Sequence, residues 1–506
     1  MKKGKVYIVG AGPGDIGLLT VKGLKCLQKA EVVVYDFHLN AQVLNYINHD
    51  AEFIYAGKRG GKHDMTQDNI NRTLVEKAKE GKTICRLKGG DPFIFGRGGE
   101  EAEALVDEGI SFEVVPGISS SVAAPAYAGI PLTHRAYSSS FAIVPGYEDV
   151  TKKESTIDWG RLATGVGTIV FLMTVKNISM VCQKLIENGR APGTPVAVVR
   201  WGTRADQTTL VGALENITEL VKANHIKPPA VMVVGDVVNL RKKLKWFEDK
   251  PLFGQRILVT REHTEGFEPL EELGAEIVEF HTIRIVPPDD WSELDRAIEK
   301  IDSYNWLVLT SVNGVKFFFR RLIDRDRDIR DLKGVKICAI GTKTAVEINK
   351  HGIKVDLIPK QFNAEGLVDA FMKENNSETL DGLKILLPRA QDARAVFPDK
   401  VKEFGGEIDV FTAYKTEKPA VHGKRMKRFL KEGKITIATF TSAATFNNYM
   451  EIMGKDAIKL LKDVTIAVIG PVTAKAVEKA GLKVAIMPEN ATVDAMVDAI
   501  KEKTEK

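Results

Sequence analysis

Residues 335–359 read VKICAIGTKTAVEINKHGIKVDLIP, and residues 464–488 read VTIAVIGPVTAKAVEKAGLKVAIMP. Each stretch contains an apolar, strand-like run, a glycine turn, a helical pattern and a second apolar run. That order is typical of an α/β fold with parallel strands. Because the two stretches match along their whole length, they predict that one α/β design occurs twice in this half of the chain.

Two further pairs of segments support the duplication. WLVLTSVNGVKFF at 306–318 resembles IATFTSAATFNNY at 437–449, and ILVTR at 257–261 resembles ILLPR at 385–389. The offset between matching segments stays between 128 and 131 residues. Two copies predict two similar lobes rather than a solenoid. A ligand is expected in the cleft between such lobes.

The preceding half of the chain also alternates strand-like and helical stretches. Helical patterns occur at Gly99–Asp107 and Met180–Asn188. Strand candidates are Lys5–Val9, Val32–Tyr35, Thr83–Leu87, Thr168–Met173, Val196–Arg200 and Ala230–Val234. The alternation predicts largely parallel sheets. A charged segment, LRKKLKWFEDKPLF at 240–253, separates the halves, so we place the boundary at about 246–253.

Length and composition exclude several classes of protein. A chain of 506 residues predicts two to four domains, and 44% hydrophobic with 27% charged residues excludes wholesale disorder. The net charge of +5 is too small to indicate a nucleic-acid partner. The four cysteines form no CxxC and the nine histidines no HxxxH or HExxH, so neither a disulfide framework nor a metal site is expected.

The apolar runs predict neither a membrane span nor a leader. None approaches the ~18 residues that a spanning helix needs. The first run, Val6–Val9, is followed by glycines and Asp15, which is typical of a strand rather than a signal peptide. We therefore expect a cytoplasmic protein.

Glycine-rich segments mark a candidate site in the first half. The segment VGAGPGD at 9–15 has Asp15 where the dinucleotide fingerprint GxGxxG needs its third glycine. LKGGDPFIFGRGGEE at 87–101 has five glycines in fifteen residues, which favours backbone packed against a ligand, with Asp91 available for a ribose or an amine. AGKRGGKH at 56–63 lacks the phosphate-loop pattern and fits either a solvated loop or a clamp for carboxylates. Tight strand-to-helix turns remain the alternative for the glycines.

Six ordered blocks of the first half resemble the uroporphyrinogen-III C-methyltransferases of the tetrapyrrole methylase fold, over about residues 4–245. The blocks are GAGPGD, YD at 35–36, GK at 57–58, GGDPFIFGRGGEE, PGISS and AGIPLTHR. The resemblance implies a two-lobed domain, a homodimer through that domain, and transfer of two methyl groups from S-adenosylmethionine to uroporphyrinogen III, giving precorrin-2. The implied cofactor-binding residues are Pro13, Gly89, Gly90, Asp91, Ile94, Ser119, Ser120, Met173 and Gly202, with Ser119 and Ser120 where the family often has Thr-Ala.

The same resemblance implies two catalytic residues, Asp36 as proton acceptor and Lys58 as proton donor. A carboxylate base suits the reaction, because a methylated pyrrole carbon leaves a positively charged ring that must lose a proton. From residue type alone, Asp36 also fits a helix N-cap after a strand, and Lys58 fits a purely electrostatic contact to a substrate carboxylate.

The second half resembles uroporphyrinogen-III synthase over roughly 253–506, through WLVLTSVNGV, AIGTKTA, ILLPRAQDAR, TFTSAAT and VIGPVTAKA. The resemblance implies closure of linear hydroxymethylbilane with inversion of the last ring, without a cofactor. It implies two α/β lobes joined by a two-stranded ladder, one from 254–286 with 416–506 and the other from 289–412.

Tyr414 is the implied proton donor of the second half, although a tyrosine there also fits packing. Thr and Ser hydroxyls at predicted strand ends suit carboxylates but also fit helix capping. Arg261 and Arg389 occupy equivalent repeat positions, each ending a strand. The implied substrate-binding residues are Arg261, Thr344, Arg389, Ser442 and Thr473.

The sequence therefore predicts an α/β enzyme with two domains, 1–247 and 253–506, that makes uroporphyrinogen III and methylates it. Its partners would be small tetrapyrroles. Three alternatives stay open: methylation of a later corrinoid, a non-catalytic tetrapyrrole-binding module in the second half, and a dinucleotide oxidoreductase, which the broken fingerprint disfavours.

Overall fold

Four β-sheets with helices on their faces make up the described part of the computed structural model. The structure describes residues 3–36, 39–48, 50–57, 65–146, 156–262, 264–361, 364–374, 378–393, 395–419 and 423–504. Within these ranges, no helix has the length and apolar character needed to cross a membrane. All four cysteines are buried and free.

The first sheet has five parallel strands in the order β3-β2-β4-β1-β5. Val6 and Ile8 pack into one core cluster and Val9 into another, because helices cover both faces of the sheet. Its elements are β1 Lys5–Gly10, α1 Val21–Lys29, β2 Val32–Tyr35, β3 Glu52–Tyr55, α2 Gln67–Lys79, β4 Thr83–Lys88, α3 Gly98–Asp107 and β5 Ser111–Val115. The chain continues from β1 to β2 on one side of the sheet and from the neighbouring β4 to β5 on the other side. Such opposite connections from neighbouring strands open a crevice at the carboxyl ends of the strands.

The second sheet has the order β6-β7-β10-β8-β9. Its elements are α4 Ser120–Tyr127, β6 Phe141–Pro145, α5 Trp159–Gly165, β7 Thr168–Leu172, α6 Ile178–Glu187, β8 Pro195–Arg200, β9 Thr208–Ala213, α7 Ile217–Ala223, β10 Ala230–Val234 and α8 Arg241–Leu244. Only β6 and β7 pair in parallel, and the other three pairings are antiparallel. The prediction of largely parallel sheets was wrong for this sheet, because β10 lies antiparallel between β7 and β8, and a short loop at 201–207 joins β8 to β9 as a hairpin-like pair.

The third and fourth sheets contain the duplicated segments. The first elements of this half are β11 Arg256–Val259, α9 Glu268–Glu272, β12 Glu276–Glu279, β13 Arg284–Val286, α10 Ser292–Glu299, β14 Trp306–Leu309, α11 Val312–Asp324, β15 Lys336–Ala339, α12 Thr342–Asn349 and α13 Ala364–Glu374. The remaining ones are β16 Lys384–Ala390, α14 Val396–Glu403, β17 Glu407–Glu417, α15 Lys424–Lys431, β18 Ile437–Phe440, α16 Ala443–Met453, α17 Ala457–Leu461, β19 Thr465–Val468, α18 Pro471–Lys479 and α19 Val493–Thr504.

The two duplicated segments fold alike. The third sheet, β12-β11-β18-β19, is parallel throughout, and in the fourth, β13-β17-β16-β14-β15, only β13 is antiparallel. The series β14, α11, β15, α12 recurs as β18, α16 (with the short α17 following), β19, α18. The antiparallel pair β13–β17 lies where the chain passes from the third sheet to the fourth and back, so both crossings run through it.

The charged segment predicted as a boundary is packed against its surroundings. Phe247 is 8% exposed and Leu252 fully buried. The Trp246 indole N–H donates to the Ala126 carbonyl at 3.0 Å. The carboxylate of Glu248 accepts hydrogen bonds from Gln207 and Thr209 at 2.8 and 2.6 Å. The segment therefore connects the halves as part of the folded structure.

Candidate active sites

Three turns that follow β1, β4 and β5 meet in the crevice of the first sheet. Gly12 and Gly90 exchange backbone hydrogen bonds of 3.2 and 2.8 Å. A Cβ on Gly117 would lie 2.3 Å from the Gly90 carbonyl oxygen, and a Cβ on Gly10 would lie 2.6 Å from the Gly117 Cα. Only glycine fits at these crossings, so the predicted residues Pro13, Gly89 and Gly90 lie on turns that the packing brings together.

The Asp91 carboxylate ties two of these turns together. One oxygen accepts the Phe93 N–H at 2.8 Å, and the other accepts the Gly117 N–H at 3.0 Å. Both oxygens are therefore engaged with backbone, and Asp91 fixes the shape of the loop that it was expected to offer to a ligand.

Helix α4 brings two more predicted residues to the same crevice. Ser119 is the N-cap of α4, is 6% exposed, and its hydroxyl accepts the Ser121 N–H at 3.3 Å. Ser120 is the first residue of the helix. A Cβ on Gly202 would lie 2.4 Å from the Ala124 Cβ, so the loop at 201–207 packs directly on α4.

Ile94 and Met173 are exposed, 37% and 54% respectively. Ile94 lies in the segment that follows Asp91, and Met173 follows β7 with a positive φ of 57°. Among the contacts of the described residues, neither joins the three turns. Both offer apolar surface at the carboxyl ends of their sheets.

Asp36 lies at the end of β2 in a cluster of four charged residues. The Arg86 Nη2 lies 2.8 Å from its Oδ1, and the Arg86 Nε donates to Glu101 at 3.0 Å. Lys88 donates to the same Glu101 oxygen at 2.6 Å. The following short helical segment is capped by Asn40, so the N-cap alternative for Asp36 does not hold. Lys58 lies outside the described residues.

The sequence analysis did not identify the charged residues that surround Asp36. Arg86 is 1% exposed, Lys88 4% and Glu101 fully buried. Burial lowers the pKa of Lys88, and the neighbouring Arg86 lowers it further. Two cations within the otherwise apolar run TICRLK were the available signal, because a buried charge requires a partner.

Equivalent helices carry the hydroxyl groups of the second half. Thr344 in α12 and Thr473 in α18 are 5% and 3% exposed. Ser442 caps α16, where its hydroxyl accepts the Thr445 N–H at 3.1 Å. An ion pair of 2.8 Å between Lys343 and Asp494 connects α12 to α19 across the two lobes. The first turns of α12 and α19 therefore lie close to each other.

Two arginines end equivalent strands of the third and fourth sheets. Arg261 follows β11, and Arg389 lies in β16, where it pairs in register with Thr412. Burial lowers the pKa of both guanidinium groups. Positive charge held in partly buried surroundings suits the binding of an acidic ligand.

Tyr414 lies in β17, 8% exposed, beside a register shift between β16 and β17. Its hydroxyl lies 3.0 Å from the Ser311 Oγ, and its ring stacks on Phe317 at 5.8 Å between ring centres. Burial raises the pKa of the phenol. A tyrosine held protonated beside a second hydroxyl can donate a hydrogen bond or a proton.

Comparisons with known proteins match the two halves of the chain to two different families. The model of the tetrapyrrole (corrin/porphyrin) methylases matches residues 5–218, and that of uroporphyrinogen-III synthase HemD matches residues 267–498. The porphyrin biosynthesis protein HemD of Ruminiclostridium josui is 38% identical over 505 residues, which cover 99% of this chain and 98% of that protein.

Two further relatives match the first half alone. The S-adenosyl-L-methionine-dependent uroporphyrinogen III methyltransferase of Methanosarcina barkeri is 55% identical over 47% of this chain and 93% of its own length. The crystal structure of the uroporphyrin III C-methyl transferase of Thermus thermophilus is 37% identical and covers 47% of this chain and 100% of that chain, with a TM-score of 0.41. The matches confirm both resemblances: the chain belongs to the tetrapyrrole methylases in its first half and to the uroporphyrinogen-III synthases in its second, as a bifunctional enzyme of tetrapyrrole biosynthesis.

Proposed function

We propose that residues 253–506 convert hydroxymethylbilane to uroporphyrinogen III and that residues 1–247 methylate that product twice to precorrin-2. The observation that carries the proposal is the pair of family matches in one chain, together with a whole-length relative in porphyrin biosynthesis. The first unit would then consume what the second produces.

The crevice of the first sheet fits S-adenosylmethionine, the methyl donor named for the Methanosarcina barkeri relative. Glycine turns at 12–14 and 89–90 let backbone groups approach a ligand closely, and exposed Ile94 and Met173 offer apolar contacts. When bound, S-adenosylmethionine supplies an electrophilic methyl group. The residues that hold it are those implied by the family: Pro13, Gly89, Gly90, Asp91, Ile94, Ser119, Ser120, Met173 and Gly202.

Asp36 removes the proton from the methylated ring carbon. Its partner Arg86, at 2.8 Å, holds the carboxylate in one position, and the exposed 30% of the Asp36 side chain leaves it accessible to substrate. A positioned base of this kind contributes about 10²–10⁴-fold to a rate. Lys58 is the proposed proton donor, on the grounds of its family position.

Tyr414 assists departure of the hydroxide from hydroxymethylbilane. The raised pKa keeps its phenol protonated at neutral pH, and Ser311 holds the hydroxyl in place. Arg261, Thr344, Arg389, Ser442 and Thr473 bind the substrate carboxylates and keep the linear molecule curled for ring closure. Ser442 does so by donating its hydroxyl hydrogen, since its hydroxyl oxygen accepts the Thr445 N–H and its backbone N–H donates to the Thr445 Oγ1 at 3.2 Å. The synthase domain would need no cofactor for this reaction.

The proposed oligomeric state and cellular location of the protein rest on its family and on the solubility of its substrates. The resemblance supports a homodimer through the methyltransferase domain, with small tetrapyrroles as its other partners. Water-soluble polycarboxylate substrates support a place in the cytoplasm.

Product analysis of the whole chain, supplied with hydroxymethylbilane and S-adenosylmethionine, tests the proposal. We expect the III isomer in excess over the I isomer, followed by dimethylation to precorrin-2. Formation of the I isomer alone would make the second half a binding module. The III isomer without methylation would overturn the assignment of the first half, provided that added precorrin-2 is shown to survive the assay.

A further inference from the structure

The synthase domain contacts both lobes of the methyltransferase domain through its edge strand β12. Gln42, which follows β2 in the first lobe, donates its side-chain N–H to the Ile277 carbonyl. Ala205, which follows β8 in the second lobe, donates its backbone N–H to Glu276 at 3.4 Å. The proposed cofactor site lies at the border between these two lobes. Strand β12 therefore contacts the methyltransferase domain on both sides of that border.

Arg256 is the centre of this contact. It is the first residue of β11, 4% exposed, and its backbone N–H donates to the Thr436 hydroxyl at 2.9 Å within the synthase sheet. Its Nη2 lies 2.6 Å from the Asp206 carboxylate of the methyltransferase domain, and its Nε donates to Glu276 at 2.7 Å. One buried guanidinium therefore joins the synthase sheet to the loop at 201–207.

That loop has a strained backbone which its neighbours must hold. Trp201 and Thr203 have positive φ values of 50° and 74°, a conformation that non-glycine residues rarely adopt. Such conformations persist only where surrounding contacts over-determine them. The Thr203 N–H donates to the Gln207 side chain at 2.8 Å, which closes the loop on itself.

The same loop supports the glycine turn after β1. The Thr203 hydroxyl accepts the Asp15 N–H at 3.0 Å. A Cβ on Gly14 would lie 2.9 Å from the Arg204 side chain, so turn and loop are in direct contact. A shift of loop 201–207 would therefore displace both Gly202 and the turn that contains Pro13.

We propose that Arg256 of the synthase domain is a positioning residue for the S-adenosylmethionine site of the methyltransferase domain, acting through loop 201–207. The inference rests on the cofactor site proposed above and adds that the cofactor affinity of one domain depends on a residue of the other. Arg256 itself touches no cofactor. Couplings of this kind, through residues that contact no ligand, are worth about 0.5–2 kcal/mol, or roughly a two- to thirtyfold change in affinity.

Titration of S-adenosylhomocysteine into the full-length chain, by calorimetry, tests the proposal on Arg256→Met. Arg321→Met is the matched control, because Arg321 forms a similar partly buried pair with Asp295, 2.6 and 2.5 Å, far from loop 201–207. We expect the dissociation constant to rise about two- to thirtyfold for Arg256→Met and to stay at the parental value for Arg321→Met. Arg256→Lys, which keeps one charged contact, should recover part of the loss.

Synthase activity and melting temperature are measured on each variant, because a merely structural ion pair would lower stability without changing cofactor affinity. If Arg256→Met does not fold, Asp206→Asn breaks the same pair from the methyltransferase side, together with the 3.5 Å pair of Asp206 with Arg204. Equal affinity in the parent and in the folded Arg256 or Asp206 variant would overturn the inference. Equal losses in Arg256→Met and Arg321→Met would overturn it as well. No binding by the parent chain would instead overturn the cofactor site itself.

Discussion

Both carboxylate oxygens of Asp91 accept backbone N–H groups, one from Phe93 and one from Gly117. Asp91→Ala removes two acceptors at once and lets the turns after β4 and β5 separate. We expect weaker binding of S-adenosylhomocysteine, since each lost hydrogen bond from a backbone N–H to a charged group is worth about 1.5–3 kcal/mol. Calorimetric titration measures the effect, and an unchanged dissociation constant would remove Asp91 from the site.

Substitution of Asp36 should lower the rate of methyl transfer rather than the affinity for the cofactor. Asp36→Asn keeps the shape of the side chain and removes the base, so we expect methyl transfer to fall by about 10²–10⁴-fold with nearly parental affinity for S-adenosylhomocysteine. Single-turnover methylation of uroporphyrinogen III measures the rate. A rate within about threefold of the parent, ~0.7 kcal/mol of barrier, would contradict the base role.

Tyr414 and Ser311 form a pair whose members can be removed separately. Tyr414→Phe keeps the ring on Phe317 and should lower III-isomer formation by about 10²–10⁴-fold if the phenol is the donor. Ser311→Ala keeps the donor and removes its partner together with the N-cap of α11, where the Ser311 hydroxyl accepts the Gly314 N–H at 2.9 Å. A smaller loss of rate is therefore expected, with a lower melting temperature. Because burial raises the phenol's pKa, deprotonation of Tyr414 should not reduce the rate below about pH 10.

The Tyr414 assay must distinguish the isomers, since the substrate also closes to the I isomer without an enzyme. Near-parental III-isomer formation by a stable Tyr414→Phe variant would leave the hydroxide to be assisted by backbone N–H groups and the Thr and Ser hydroxyls. A lower melting temperature with the rate retained would indicate packing.

Individual residue roles were only partly visible in the sequence. The GGD turn marked Asp91 as a site residue, but its two backbone partners depend on where the turn after β5 lies. Arg86 and Glu101 stand fifteen residues apart, and nothing local indicates that they pair behind Asp36. Ser442 was expected to bind substrate with a hydroxyl that the structure uses as a helix cap.

At the scale of elements, the crossing of three glycine turns can be tested with one matched pair of variants. Gly117→Ala places a Cβ 2.3 Å from the Gly90 carbonyl oxygen, whereas a Cβ on Gly99 meets nothing within 4 Å. We expect Gly117→Ala to displace the turns and weaken S-adenosylhomocysteine binding at least about tenfold, a cost of ~1.4 kcal/mol. Gly99→Ala lies in α3 and should bind normally, with about 0.5–1 kcal/mol of added helix stability.

Binding and thermal melting of the two glycine variants separate the possible outcomes. Parental affinity in Gly117→Ala would show that the turns tolerate displacement and that their close packing does not shape the site. Equal losses in both variants would indicate a general sensitivity of the domain to alanine.

Strand and helix positions were largely predictable, because their apolar periodicity is local. Val32–Tyr35 and Ala230–Val234 match their strands residue for residue, and the other four strand candidates differ by one residue at an end. Pairing direction in the second sheet was not predictable in this way. It depends on which strands become neighbours, and β10 lies between β7 and β8 although it follows both in sequence.

At the scale of the whole molecule, the boundary at 246–253 stays a prediction, and the packing of this segment could not be predicted from the sequence. Trp246 and Phe247 both contact Tyr127, with ring centres 5.0 and 4.7 Å apart. A run of charges with a proline is typical of an exposed linker, and only the fold brings α4 close enough to pack on Phe247, which is 8% exposed, and on one side of Trp246. The contacts between the domains, including the pair of Arg256 with Asp206, could not be inferred from either half alone.

The two domains should nevertheless fold separately. The residue at which the chain is cut should determine the stability of the methyltransferase fragment. A relative of which this chain covers 93% matches the first half alone, which supports an independent methyltransferase fold. We expect fragments 1–247 and 253–506 each to fold and to keep one activity. The cut at 247 removes Glu248, which pairs with Arg241 at 2.5 Å and accepts hydrogen bonds from Gln207 and Thr209.

Fragment 1–250 retains Glu248 and should therefore melt several degrees higher than 1–247, since removal of one partner from a partly buried network costs on the order of 1–3 kcal/mol. Both fragments lack Arg256, so 1–250 should bind S-adenosylhomocysteine more weakly than the full chain, to a degree matching Arg256→Met. Fragment 1–247 should bind at least as weakly as 1–250, because it also lacks the Glu248 partner of Gln207. Thermal melting and calorimetric titration, with hydroxymethylbilane turnover by 253–506, give the three readouts.

Insoluble fragments, or loss of both activities, would mean that the interface belongs to the folding unit. Full-chain affinity in 1–250 would instead mean that the methyltransferase domain positions its cofactor turns without help from the synthase domain.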